Sequence, residues 1–229
     1  MKVSVWERLQ KEMTWAQIGL LQGKRILDFG SGNGMTADRF AENNEVIAIE
    51  PDENIIKERF DENSYIQLCG SIDKLYEFED NYFDVIFCHN VFEYAERREE
   101  IFKEFERLLK KEGFISILKH NLPGRVMQMV VLLNNFEHAN DLLDGKNGIA
   151  EKYGAINYYN DEDILKWSDE LVIEKIYGQR VYWDLQQNQE KQTDEKWQNE
   201  MLKIEKRVSE IEEYKNIAFF HHLIVRKNK

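Results

Sequence analysis

A chain of 229 residues, 42% hydrophobic and 12% aromatic, can fill one sizeable core and is not disordered. Its formal charge of −12, from 31 Lys+Arg against 43 Asp+Glu, argues against a surface built throughout to track phosphate backbones, although acidity also serves ordinary solubility. The opening MKVSVWERLQKEMTW has no apolar run of a secretory signal, and the greasiest stretch, near Met127–Leu133, is far short of the ~20 residues of a membrane span. Two cysteines, Cys69 and Cys88, fit reduced thiols in a cytoplasmic, single-domain protein.

Residues 1–23 read as one or two amphipathic helices, with Trp6, Leu9, Met13, Ile18, Leu20 and Leu21 as apolar contacts. Strand-like runs follow at 25–29, 45–50, 65–69, 83–88 and 114–119. Between them helices are predicted over 35–43, 53–60, a short stretch after Gly70, and 98–111. In the last of these Ile101, Phe102, Phe105, Leu108 and Leu109 share a face and Gly113 acts as the stop. Alternating strands and helices imply a parallel sheet covered on both faces. Beyond residue 120 the pattern changes. Residues 123–136 look helical, 144–159 a loop, 161–167 a short helix, and 171–183 and 217–226 two further strands. Trp197, Met201, Ile204, Val208 and Ile211 repeat at four-three spacing, which suits a helix laid on its own domain or a dimer seam. A monomer or a homodimer both fit.

The most informative segment is RILDFGSGNG, residues 25–34. A strand ends at Asp28, and Gly30, Ser31, Gly32, Asn33 and Gly34 turn into a helix, where glycines allow close approach of backbone to ligand and the helix start offers unpaired N–H groups. Met35 stands where a dinucleotide fingerprint needs its third glycine, so a nicotinamide-binding oxidoreductase is disfavoured. Glu50 closes the next strand about 20 residues after Gly30, where a carboxylate can accept ribose hydroxyls. A ligand-free turn explains neither the three glycines nor the acid. Asp28 reads as a ligand contact or as a holder of the loop, and Cys88 as a small core-edge residue sooner than a nucleophile.

The stretches ILDFGSGNG, VIAIEP, LCGSID and FDVIFCHNVFEY resemble the first four motifs of class I S-adenosylmethionine-dependent methyltransferases. The resemblance implies an α/β, Rossmann-like fold with a seven-stranded mixed sheet of order 3-2-1-4-5-7-6, its last strand antiparallel, and helices on both faces. It also implies S-adenosylmethionine as cofactor. Asp28, Gly30, Ser31 and Gly32 would surround the methionine end, Glu50 would bind the ribose, and Pro51 would pack beside the adenine. Ser71 and Ile72 would meet the adenine edge and face; many relatives carry an acid at position 71, and here Asp73 stands two residues on. Cys88 and His89 would flank the methionine amino group and the transferable methyl.

A closer resemblance runs through KEMTWAQIGLL, FCHNVFEYAERREEIFKEFERLLKKEGFISILKHN and GQRVYWD. These segments are similar to bacterial methyltransferases that esterify 5-carboxymethoxyuridine at the tRNA wobble position. Those relatives carry arginine five residues before the N-terminal tryptophan, where this chain has Gln10 before Trp15, and an aromatic before Asn121, where it has His120. A carboxylate acceptor is already nucleophilic at neutral pH and needs alignment more than a base. A hydroxyl or amine acceptor needs a proton taken, for which His89 and His120 are the candidate catalytic residues.

No Cys/His cluster has metal-ligand spacing; His221 and His222 alternate along a strand, so one of them is expected to be exposed. Residues 120–160 and the segment after Tyr182 are expected to form a lid or substrate insertion. Lys119, Arg125, Lys146, Lys152 and Arg180 could there bind an anionic acceptor or simply be solvated. The acceptor is tRNA or a small molecule, an oxygen or nitrogen being the target; a non-catalytic nucleotide-binding module is the remaining alternative.

Overall fold

The computed structural model describes residues 4–150 and 154–228, so Lys152 lies outside the described residues. In chain order the elements begin α1 (Val5–Ile18), β1 (Arg25–Phe29), α2 (Met35–Ala41), β2 (Glu45–Glu50), α3 (Glu53–Lys57), β3 (Ile66–Cys69), α4 (Ile72–Leu75), β4 (Phe83–His89), α5 (Arg98–Leu108) and β5 (Leu109–His120). They continue with α6 (Leu122–Val131), α7 (Phe136–Leu143), β6 (Gly148–Ala150), β7 (Gly154–Ile156), a 3-10 helix Asp161–Lys166, β8 (Leu171–Gln179), a 3-10 turn Trp183–Leu185, α8 (Gln189–Thr193), α9 (Glu195–Val208), α10 (Glu212–Lys215) and β9 (Phe220–Lys227).

Seven strands form one sheet in the order β3-β2-β1-β4-β5-β9-β8. The last two carry the numbers 9 and 8, where 7 and 6 were expected, because β6 and β7 pair as a separate antiparallel ribbon inside the predicted loop. β1 pairs in parallel with β2 and β4, β2 with β3, and β4 with β5.

Two compact units can be distinguished. One comprises Leu20–Leu118, Asp161–Lys175 and the described part of Leu223–Lys229. Its centre is the β1–β4 pair, where Ile26, Leu27, Ile86 and Phe87 are wholly buried, as apolar strands must be when helices cover both faces. Helix α5 closes one side with Ile101, Phe102, Phe105 and Leu108. Phe105 meets Phe29 edge-on at 5.3 Å between centroids, and Phe102 meets Trp167 at 5.8 Å.

Gly113 does not stop that helix. The backbone already turns extended at Leu109, and β5 continues through Gly113 with the register jumping from Phe83↔Leu109 to Val85↔Phe114. A Cβ at Gly113 would lie 2.6 Å from the Asp84 carbonyl oxygen. The glycine serves this close strand crossing.

The other unit comprises the described parts of Met1–Gly19, Lys119–Asn160 and Ile176–His222. The helix predicted over 123–136 ends at Val131, and a second one, α7, begins at Phe136: Asn134 takes a left-handed backbone, and the Asn135 side chain caps α7 by accepting from the His138 N–H at 3.0 Å, roles for which asparagine is suited. Met129, Ala139 and Leu142 form the small core there. Helix α1 is held by a buried polar chain: Gln179 Nε2 donates to Thr14 and to Gln17, and Gln17 Oε1 also accepts from His222 Nδ1 at 2.8 Å. His221 and His222 are both buried, which corrects the expectation that alternation exposes one; the other ring meets the Lys215 carbonyl.

Helix α9 buries much of the predicted stripe, with Val208 buried, Met201 half-buried and Trp197 4.8 Å from the Trp183 ring. Glu205, however, takes the inward place expected of Ile204, and Ile211 lies beyond the helix. Ile204 and Ile211 are exposed, while Glu205 and Val208 are buried. The Glu205 carboxylate accepts from the N–H groups of Val181, Tyr182 and Trp183 at 2.8–3.0 Å. Burial holds its carboxyl above the usual range, and those three bonds oppose the shift.

Candidate functional site

The glycine loop sits where β1 ends. The N–H groups of Gly30 and Ser31 both donate to the Ile49 carbonyl, at 2.8 and 3.0 Å, which folds the loop back onto β2. Its three glycines have left-handed backbones but different neighbours. A Cβ at Gly30 would strike Val91, and one at Gly34 the Tyr65 hydroxyl. Burial pushes that hydroxyl up to about 12. At Gly32 a Cβ would meet nothing within 4 Å. Gly32 is therefore the one of these three glycines with open space beside its Cα.

Glu50, at the end of β2, is buried at 8% exposure. One carboxylate oxygen accepts from the Gly32 N–H at 2.9 Å and the other from the Asp52 N–H at 3.1 Å. The acid is thus fixed beside the open glycine, with acceptor capacity left on each oxygen. Ser31 Oγ is buried with no hydrogen-bond partner. Asp28 is buried at the end of β1, and together with Glu93 it bears on Cys88.

Cys88, expected beside the methionine end of the cofactor, is a free, buried cysteine. It has no exposed surface and lies in β4 opposite Phe29 and Ile117, so its side chain belongs to the sheet interior. Burial, with the nearby charges of Glu93 and Asp28, pushes its thiol well above the ordinary value, which favours the neutral form. His89 ends β4 with its ring stacked on Phe87 and its Nε2 2.9 Å from the Ser116 hydroxyl in β5. Pro51 and Cys69 are exposed, the thiol 3.7 Å from the Pro51 carbonyl. Ser71 is half-buried and Ile72 buried; Asp73 turns back to accept from the Ser71 N–H at 2.8 Å.

Two residues here were missed in the sequence. Asn90 has a left-handed backbone, donates its N–H to the Leu118 carbonyl at 2.7 Å, and has a buried side-chain oxygen without a partner. A residue of this type directly after an apolar strand was the available signal. Glu93 is 1% exposed, and nothing in the sequence marks an acid in a surface-like EYAERREE run as buried.

These residues fit a cationic nucleoside cofactor: an open glycine cradle, a ribose-type acid, an orphaned serine hydroxyl and two buried acids at the strand ends. Among the described residues no group of three His, Cys, Asp or Glu side chains is placed to hold a metal ion, and no helix is long and apolar enough to cross a membrane.

His120 belongs to the second unit. Its ring packs on Phe220 at 4.6 Å and edge-on to Tyr158 at 6.1 Å. Burial, then the charges of Arg125, Arg180 and Lys119, lower its pKa to about 3. Arg180 is 7% exposed, forks onto Asp184, and stacks over Trp6 and Phe220 at 5.0 Å each. Lys119 is 2% exposed with its Nζ over the Tyr159 ring. Lys146 is exposed and paired with Asp141.

Residues 27–117 match the family model described as a methyltransferase domain. No curated protein matches the sequence. Among solved structures, the chain is similar to an S-adenosylmethionine-dependent methyltransferase from Mesorhizobium loti, at 10% identity over 98% of this chain and 100% of that one, with a TM-score of 0.61. It is similar to the PH0226 protein of Pyrococcus horikoshii at 14% identity over 97% and 90%, TM-score 0.61. A TehB-like methyltransferase of Corynebacterium glutamicum aligns at 16% identity over 99% and 89%, TM-score 0.50. Likeness at such identities speaks for the fold.

Proposed function

We propose that the chain, whose residues 27–117 match a methyltransferase domain, uses S-adenosylmethionine to methylate an oxygen acceptor, a carboxylate, and that the acceptor is the modified uridine at the wobble position of tRNA. Asp28, Gly30, Ser31, Gly32 and Glu50 would hold the cofactor, with Pro51, Ser71 and Ile72 at the adenine and Asn90 and Glu93 added to the set. When bound, the cofactor supplies an electrophilic methyl group on a sulfonium. Glu50 accepts hydroxyl donors while Gly32 fixes its orientation.

The observation that carries the carboxylate reading is the state of the two histidines. His120 is held neutral with its pKa near 3, far below the value at which a general base works well at neutral pH. His89 has its Nε2 against Ser116, which suits orientation of the site. A carboxylate carries no proton at neutral pH, so neither residue has to take one. The tRNA assignment rests on the sequence resemblance; the charge of −12 favours a small carboxylate as the second reading.

A labelled methyl donor tests the reading. With tRNA as acceptor, the transferred label is released as methanol by mild alkali, as an ester requires, and transfer falls steeply with salt because phosphate contacts release counterions. An alkali-stable label overturns the carboxylate. A flat salt profile with an active small acceptor leaves the second reading.

A further inference from the structure

The hairpin of α6 and α7 turns apolar side chains outward as well as inward. Its own core of Met129, Ala139 and Leu142 is small, while Val130, Val131, Leu133, Phe136 and Leu143 are 37–68% exposed. Scattered exposed apolar residues are ordinary, whereas a cluster on one hairpin has the character of an interaction surface. Charge narrows the kind of partner. The chain carries 43 Asp+Glu, yet no acid stands between Glu112 and Glu137, its longest acid-free stretch. Nucleic acid and anionic membranes fit poorly, because residues 122–147 offer only Arg125 and Lys146 as fixed cations, and Lys146 is paired with Asp141. A second copy of the chain fits better. Two copies of net charge −12 repel, and they repel least where an acid-free surface meets its own like.

The groove of about 390 Å³ between the two helices supplies matching charges. Arg125 lies in the first turn of α6 and Glu137 in the first turn of α7. The chain folds back after α6, so that Leu122 and Val126 pack with Ala139 and Leu142. The two charges therefore line opposite ends of the groove, with Met129 and Leu133 between them. The ion pair at this groove is Lys146–Asp141; Arg125 turns to the uncharged Gln128, and Glu137 is exposed. A positive and a negative end on one apolar groove are complementary to themselves under a two-fold axis. Such an axis lays Arg125 of each copy against Glu137 of the other.

We propose that the α6–α7 hairpin is a two-fold contact between two copies of this chain, with Val131, Leu133 and Phe136 at its centre and Arg125 and Glu137 at its rim. An apolar centre inside a polar rim is the common build of such contacts. The contact stands apart from a seam on α9, where the exposed Ile204 would be the anchor.

Sedimentation velocity of the full chain over the micromolar range should show a monomer passing into a dimer. Phe136→Asp should weaken the dimer about ten-fold or more, as loss of a central anchor does. R125E and E137R should each weaken it, and the double variant R125E/E137R should restore it, because the exchanged charges meet again across the axis. Melting temperatures establish that the variants are folded. Should R125E fail to fold, Phe136→Asp and Val131→Asp, both at exposed positions, decide the matter by themselves. A chain that stays monomeric throughout overturns the proposal, whether or not its hairpin then binds tRNA or lipid vesicles. A dimer left intact by Phe136→Asp, or abolished instead by Ile204→Asp, overturns it too, and so does a double variant no tighter than its single parents.

Discussion

Single residues decide the geometry of the glycine loop. Gly32 and Glu50 form one unit, because the Gly32 N–H orients the acid and the absent side chain leaves its neighbourhood open. Glu50→Ala should lose ~1.5–3 kcal/mol of S-adenosylhomocysteine affinity, the scale of a hydrogen bond to a charged group. Calorimetry returning an unchanged dissociation constant would remove Glu50 from the site. At His89 the Ser116 contact argues for positioning. His89→Ala is expected to slow transfer without altering the shape of the pH–rate profile. A wild-type limb near the ordinary histidine value of ~6.5 that vanishes in the variant would instead establish a general base.

At the scale of elements, helix α9 shows how a helical repeat can be legible while one position of its buried face is not. The four-three spacing of Trp197, Met201, Ile204 and Val208 marks the helix, but the inward face takes Glu205 where Ile204 was expected. An acid reads as solvent-facing by type, and only its three backbone donors make its burial tolerable. Glu205→Gln keeps one acceptor oxygen and should cost ~1–3 kcal/mol, because N–H groups of the 181–183 turn are left unmet. Urea denaturation would register this as a lower midpoint; an unchanged midpoint would mean that solvent reaches the turn. In β5 the same lesson appears at Gly113, whose role is set by the Asp84 carbonyl of the neighbouring strand, a contact remote in sequence.

For the molecule as a whole, buried histidines make stability depend on pH. Burial lowers the His222 pKa to about 3, whereas an unfolded chain takes up the proton near ~6.5. Between those values the unfolded state binds more protons than the folded state, so stability is full above pH ~6.5 and falls as pH drops, by up to about 1.4 kcal/mol per pH unit for one histidine. His120, also lowered to about 3, acts in the same window and direction. Denaturation at a series of pH values should show this slope, and His222→Gln should flatten it. A slope unchanged in the variant would locate the linkage elsewhere.

The amino-acid sequence by itself determined the alternation of strands and helices, the glycine loop at 30–34 and the acid at 50. Each of these is a local pattern: strand period, helical period, and residues whose backbone or charge acts within one turn. Tertiary structure alone decided what depended on distant neighbours. It assigned the open position to Gly32 among three glycines, withdrew Cys88 into the sheet and set Asn90 and Glu93 at the strand ends. It also buried both His221 and His222, and gathered Arg125, Arg180 and Lys119 around a neutral histidine. Burial and electrostatic environment are properties of what packs against a residue, and the chain brings those partners together only by folding.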